Sequence, residues 1–162
     1  MGKFTRVMIA PGRYVQGRGA ISEIGEHISL LGDRVLVIGG KTGLASTREG
    51  LKKSLGEKGI SHVEELFQGE CNDREIDRLT EIARKEKCNV IIASGGGKSM
   101  DTVKVVAAKL KASTVIVPTT ASTDAPCSAL SIIYDDHGVF ERFYIPPRNP
   151  DLVLVDTEII AK

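Results

Sequence analysis

Asn89-Val-Ile-Ile-Ala-Ser-Gly-Gly-Gly-Lys-Ser-Met-Asp101 is the stretch on which the fold turns. Val90, Ile91 and Ile92 follow one another with no polar alternation, the pattern of a strand covered on both faces. The run ends in three glycines, and from Met100 the apolar residues recur at Val103, Val106, Ala107 and Leu110, which is helical spacing. A strand, a glycine turn and a helix N-terminus form an anion site. The first N–H groups of a helix lack internal partners, and its dipole favours negative charge there. One glycine would suffice for a tight turn; three remove the side chains that keep a phosphate off the backbone, so the stretch predicts a phosphate site.

Two familiar phosphate motifs do not fit. Gly97-Lys98-Ser99 matches the end of a Walker A loop, but the first glycine of that loop would fall at Ile92. Gly39-Gly40-Lys41-Thr42-Gly43 does not have the G-x-G-x-x-G spacing either.

Working outward, β-formers around Pro11-Gly12 predict extended edge strands over 4–16. Ile21, Ile24, Ile28 and Leu31 form a helical stripe closed by Gly32. Arg34 to Ile38 reads as a buried strand. Leu51 and Leu55 mark a helix ended by Gly59, His62 to Phe67 a strand, and Ile76, Leu79, Ile82 and Ala83 a helix over 74–87. Beyond the central stretch lie a strand at Thr114–Val117, a polar segment bracketed by Pro118 and Pro126, and a hairpin over 128–145 around Asp135-Asp136-His137-Gly138. A last strand, Leu152–Val155, leads to an N-cap at Asp156-Thr157. Alternating strands and helices predict an α/β fold with a largely parallel sheet flanked by helices, and ligands at the strand C-termini. The loops 39–43, 94–99 and 118–126 should therefore share one rim.

With 162 residues the chain fits one domain and buries ~70% of its unfolded surface. A net charge of +1 supplies no basic field, which argues against nucleic acid as a partner. Cys71, Cys88 and Cys127 are odd in number and have no C-x-x-C spacing, as expected of thiols in a reducing compartment. No apolar leader and no run near 18 apolar residues occurs, so the expectation is a cytoplasmic chain without a membrane span. His27 falls off its helical stripe, and His137 reads as a turn residue. In the segment 118–126, Thr119, Thr120, Ser122 and Thr123 offer hydroxyls and Asp124 an acid. Asp101 suits the helix dipole but is an awkward neighbour for a pyrophosphate, so it is expected to face another part of the ligand.

Ser94-Gly-Gly-Gly-Lys-Ser-Met-Asp101, Val117-Pro-Thr-Thr-Ala-Ser-Thr-Asp-Ala-Pro-Cys-Ser128 and the hairpin with Tyr134 resemble the glycerol dehydrogenase branch of the iron-type (metal-dependent) alcohol dehydrogenase superfamily. Pro11-Gly-Arg-Tyr-Val-Gln-Gly-Arg-Gly19 and the stretch from Asn149-Pro150 to Asp156 are similar too. The resemblance implies a Rossmann-like N-terminal domain over 1–162 with a β-hairpin insertion, binding NAD for the oxidation of glycerol to dihydroxyacetone. Gly95, Gly96, Gly97, Lys98 and Ser99 would wrap the pyrophosphate, with Asp101 towards the nicotinamide. Thr119, Thr120, Ser122, Ser128, Leu130 and Tyr134 would touch the cofactor, and Asp124 the polyol. The family often places a ribose-binding acid where this chain has Gly40, which loosens the implied preference for NAD over NADP. The family's Zn²⁺ or Fe²⁺ sits on an Asp and two His of a helical C-terminal domain, and His27, His62 and His137 match none of those ligands. The resemblance thus implies a cofactor half, inactive alone and self-associating into a homo-oligomer. A glycerol-1-phosphate dehydrogenase or dehydroquinate synthase relative and a stand-alone nucleotide-binding module are the alternatives.

Overall fold

The computed structural model describes residues 8–162. Six strands form one parallel sheet in the order β1-β8-β5-β4-β2-β3. They are β1 (Tyr14–Gly17), β2 (Arg34–Gly39), β3 (Ser61–Leu66), β4 (Val90–Gly95), β5 (Ser113–Pro118) and β8 (Leu152–Asp156). The edge strand expected over 4–16 begins only at Tyr14; its first residues, 4–7, lie outside the described residues. β6 (Ser131–Tyr134) and β7 (Phe140–Tyr144) pair antiparallel as a separate hairpin, with an irregularity at Ile133/Tyr134.

Strand parity sorts the core into two layers. Leu36, Ile38, Ile91, Ala93, Ile116 and Val153 point to one face, under α3 (Asp73–Lys85) and α4 (Gly97–Leu110). Their neighbours Val35, Val37, Val90, Ile92, Val115 and Leu154 point to the other, under α1 (Ile24–Ile28) and α2 (Lys41–Glu57). The unbroken apolar runs of β2, β4 and β5 are thus explained by cover on both sides. Each such valine, leucine or isoleucine contributes about 1.5–3 kcal/mol on leaving water. The stripe from Ile21 to Leu31 divides into a short 3₁₀ turn, Ala20–Glu23, followed by α1. Asp156 holds this start, accepting from Gly19 N and Ile21 N, and also caps the short α5 (Thr157–Ile160) by accepting from Glu158 N.

The hairpin is fastened to α4 and to the start of α3. Ile133 packs into the core beside α4, and Tyr134 N donates to Cys71 O at 2.9 Å. Further out, Arg142 Nη2 donates to both carboxylate oxygens of Asp73, and Asn72 Nδ2 donates to Asp136 at 2.8 Å. No helix among the described residues is long and apolar enough to cross a membrane.

Candidate functional site

The chain leaves β2 towards β3 at one edge, but leaves β4 towards β5 in the opposite direction. A parallel sheet opens at such a reversal, and its ligands bind beyond the strand C-termini there. α2 starts from β2 on one face and α4 from β4 on the other, so two helix N-termini meet at this crevice. Neither has a side-chain cap: Gly40 and Gly96 occupy the N-cap positions, both extended. The contrast is with α3, where Asn72 Oδ1 accepts from Glu75 N at 2.9 Å. The first-turn donors of α2 and α4 are left for solvent or a ligand.

The glycines around the crevice divide into two kinds. A Cβ on Gly39 or Gly43 would lie 2.2 or 2.3 Å from Ser94 O, so backbone meets backbone at the floor. Ser94 Oγ closes that contact by donating to Gly43 O at 2.9 Å, and it pairs with Thr47 Oγ1 at 2.8 Å. A Cβ on Gly96 or Gly97 would meet only threonine side chains at 3.6 Å or more, and one on Gly40 would meet nothing within 4 Å. The fold does not require glycine at those three positions. Open space over unpaired N–H groups fits a phosphate cradle. Gly95 is different: it is the buried last residue of β4, and a Cβ there would press on Ser99 Oγ at 2.7 Å.

The segment after β5 folds back over this rim. Thr119 N donates to Gly95 O at 3.0 Å, and Thr120 Oγ1 bonds Ser122 Oγ at 3.3 Å. Asp124 precedes a single 3₁₀ turn, Ala125–Cys127, which Thr123 Oγ1 supports by accepting from Ala125 N. The carboxylate of Asp124 is exposed, with no ion pair or hydrogen bond among the described residues. Between α4, this segment and the hairpin lies a pocket of about 210 Å³. Of the expected residues, Gly97, Lys98, Asp101, Asp124, Ser128, Leu130 and Tyr134 line it. Gly95, Gly96, Ser99, Thr119, Thr120 and Ser122 sit outside its lining, around the α4 N-terminus and the loop, and Gly40 stands across the crevice at α2. The volume is below the ~300–1,000 Å³ of a whole drug-sized ligand and suits one end of a dinucleotide.

Two expected contacts carry protein partners of their own. Lys98 Nζ is 2.6 Å from Glu70 Oε2 and stands 5.3 Å from the centre of the Tyr134 ring. Asp101 is buried; its Oδ2 accepts from Ile132 N at 3.1 Å, so the acid fastens β6 as well as lining the pocket. Glu70, Ser94, Thr47 and Lys104 are the participants that sequence reasoning did not single out. The signal for Lys104 was a cation three residues after Asp101 inside the apolar run Val103 to Ala107. Below the pocket, burial pushes the Cys71 thiol up to about 11. At the hairpin turn, Asp135 is held below the usual carboxylate range by backbone N–H donors, Val139 first.

His27, His62 and His137 stand on α1, on β3 and in the hairpin turn. Among the described residues no three His, Cys, Asp or Glu side chains are grouped to hold a metal ion. The described residues therefore do not fit a metal centre.

A doubly wound parallel sheet with two uncapped helix N-termini at its open switch point defines a Rossmann-like α/β protein. Residues 11–157 match the family "Iron-containing alcohol dehydrogenase", and the chain belongs to that family. It is 49% identical over 160 residues to a glycerol dehydrogenase of Thermotoga maritima and 44% over 156 residues to one of Escherichia coli O6:H1. Those alignments cover 95% and 96% of this chain but 42% of each relative. The crystal structure of a probable glycerol dehydrogenase from Sinorhizobium meliloti 1021 superposes with a TM-score of 0.88 at 37% identity, over 97% of this chain and 43% of that one. The chain thus spans less than half the length of the relatives it matches.

Proposed function

We propose that residues 1–162 are the NAD-binding part of a glycerol:NAD⁺ oxidoreductase. One observation carries the reading: the open, uncapped start of α4 runs directly into a pocket that ends at the unpaired carboxylate of Asp124. The N–H groups of Gly97, Lys98 and Ser99 hold the pyrophosphate, with Gly95 and Gly96 shaping the approach. The nicotinamide end enters between Asp101 and Tyr134, where Ser128 and Leu130 close the wall. Thr119, Thr120 and Ser122 contact the cofactor from the loop, and Gly40 leaves the adenosine side open. Asp124 accepts hydrogen bonds from polyol hydroxyls and orients the alcohol carbon. The nicotinamide, when bound, accepts the hydride. The described residues do not form a site for the family's Zn²⁺ or Fe²⁺. In this reading residues 1–162 alone bind the nucleotide without oxidising glycerol.

The proposal extends to a cytoplasmic homo-oligomer. Free Cys71, Cys88 and Cys127 suit a reducing compartment, and exposed Val139, Phe140, Phe143 and Ile145 offer an apolar surface. Sedimentation measures the assembly.

Titration of NADH fluorescence against the chain and its Gly96→Val variant tests the function. The branched side chain has room beside Thr120 but intrudes on the backbone donors, so affinity should fall at least about tenfold. Equal affinities would remove the glycine loop from the site.

A further inference from the structure

Lys104 is among the largest side chains that the fold buries, at 2% exposure. An ammonium in the interior loses its hydration, which only close partners offset. Its three N–H donors find three carbonyls on one segment: Ala125 O at 3.0 Å, Ser128 O at 3.3 Å, and Leu130 O. Its fourth neighbour is Asp101 Oδ1 at 2.9 Å, an ion pair without hydrogen-bond alignment. The reason lies in the count of donors. With all three aimed at the segment, Asp101 Oδ1 keeps the charge balance but receives no directed hydrogen bond. It remains a buried acceptor without a hydrogen-bond donor, closed off from solvent, although other atoms of Asp101 line the pocket.

We propose that Lys104 is a positioning residue for ligand specificity, holding Ala125–Leu130 as the pocket wall and balancing the charge of Asp101 at the edge of the pocket. This rests on the reading of the pocket as the nicotinamide end of a dinucleotide site. Lys104 touches no ligand; it acts through Asp101, Ser128 and Leu130. Asp101 alone, beside a negative pyrophosphate, would repel it. Paired with Lys104 the acid is balanced, so the pocket wall beside it suits a polar but uncharged group.

Binding of NADH and of ADP separates this role from a general loss of structure. ADP reaches the α4 N-terminus but has no group for the pocket. Lys104→Met should weaken NADH at least about tenfold while ADP changes by less than about twofold. Lys104→Arg, which keeps charge and donors, should recover part of the NADH affinity. Equal losses for both ligands, or no loss for either, would overturn the proposal. If Lys104→Met does not fold, the double variant Asp101→Asn/Lys104→Met removes both charges, a change that buried pairs often tolerate. It must then bind NADH more weakly than Asp101→Asn alone, and equality overturns the assignment. Amide hydrogen exchange over 124–131 is read on the same proteins without ligand. Exchange there should speed up in the Lys104 variants at least about tenfold relative to β4, and unchanged protection refutes the wall-holding role. A wild-type chain that binds neither nucleotide would reject the functional reading, while the exchange result would still decide whether Lys104 holds the wall.

Discussion

Lys98 Nζ lies 2.6 Å from Glu70 Oε2, so the cation nearest the glycine loop already has an anionic partner before any phosphate arrives. The other Glu70 oxygen accepts from Cys71 N at 3.0 Å, which fixes the acid in place. Lys98 is about half exposed, and such pairs contribute at most ~1 kcal/mol to stability. The consequence is for binding rather than folding. A phosphate competes with Glu70 for Lys98, so Glu70→Gln should tighten NADH about two- to fivefold, more at low salt than at high. Unchanged affinity at low salt would show that Lys98 never reaches the ligand.

The two kinds of glycine should separate in a stability measurement. Gly43→Ala places a methyl 2.3 Å from Ser94 O, a backbone atom that cannot step aside, and should cost about 1–3 kcal/mol in urea unfolding. Gly97→Ala meets only Thr123 side-chain atoms at 3.7 Å or beyond, so its stability should stay within about 1 kcal/mol while NADH affinity falls. Equal destabilisation by both would mean that the open space above Gly97 is not there in solution.

Gly40 should decide cofactor choice. Its φ is −69° and no atom lies near a Cβ, so Gly40→Asp fits without strain. The added carboxylate would accept from a ribose hydroxyl and repel a 2′-phosphate, raising the NAD-over-NADP affinity ratio about tenfold. A ratio that does not move would place ribose recognition elsewhere.

Cys71 ties stability to alkaline pH. It is fully buried, and desolvation foremost raises its pKa from 9.0 to about 11. In the unfolded chain the thiol ionises near its ordinary value, so between about pH 9 and 11 the unfolded state holds fewer protons. Stability is therefore complete below pH 9 and falls as pH rises to 11, by roughly 2–3 kcal/mol. Urea midpoints across this range should decline in the parent chain, with a shallower slope in Cys71→Ala. The same burial should leave exposed Cys127 the first thiol to react with an alkylating reagent.

Local pattern alone was enough to read the parallel α/β layout, because the apolar runs at 34–38, 90–93 and 114–117 are each too short for a helix and too continuous for a half-exposed strand. The loops at 39–43, 94–99 and 118–126 followed as one rim, since parallel strands carry all their C-termini to the same side. Even the hairpin was legible from its turn residues. What periodicity cannot convey is which side chains spend their charge on one another. Asp101 looked available to a ligand, yet it fastens Ile132 N and faces Lys104; Lys98 looked free, yet it is paired with Glu70, 28 positions earlier. The open cradle at Gly96 and Gly97 and the closed contact at Gly43 have the same residue type in sequence and differ only in what stands opposite. Strand and helix follow from spacing along the chain. The partners of a buried charge, and the space left above a glycine, follow from how β4, α4 and the segment 119–130 pack in three dimensions, and only the tertiary structure decides them.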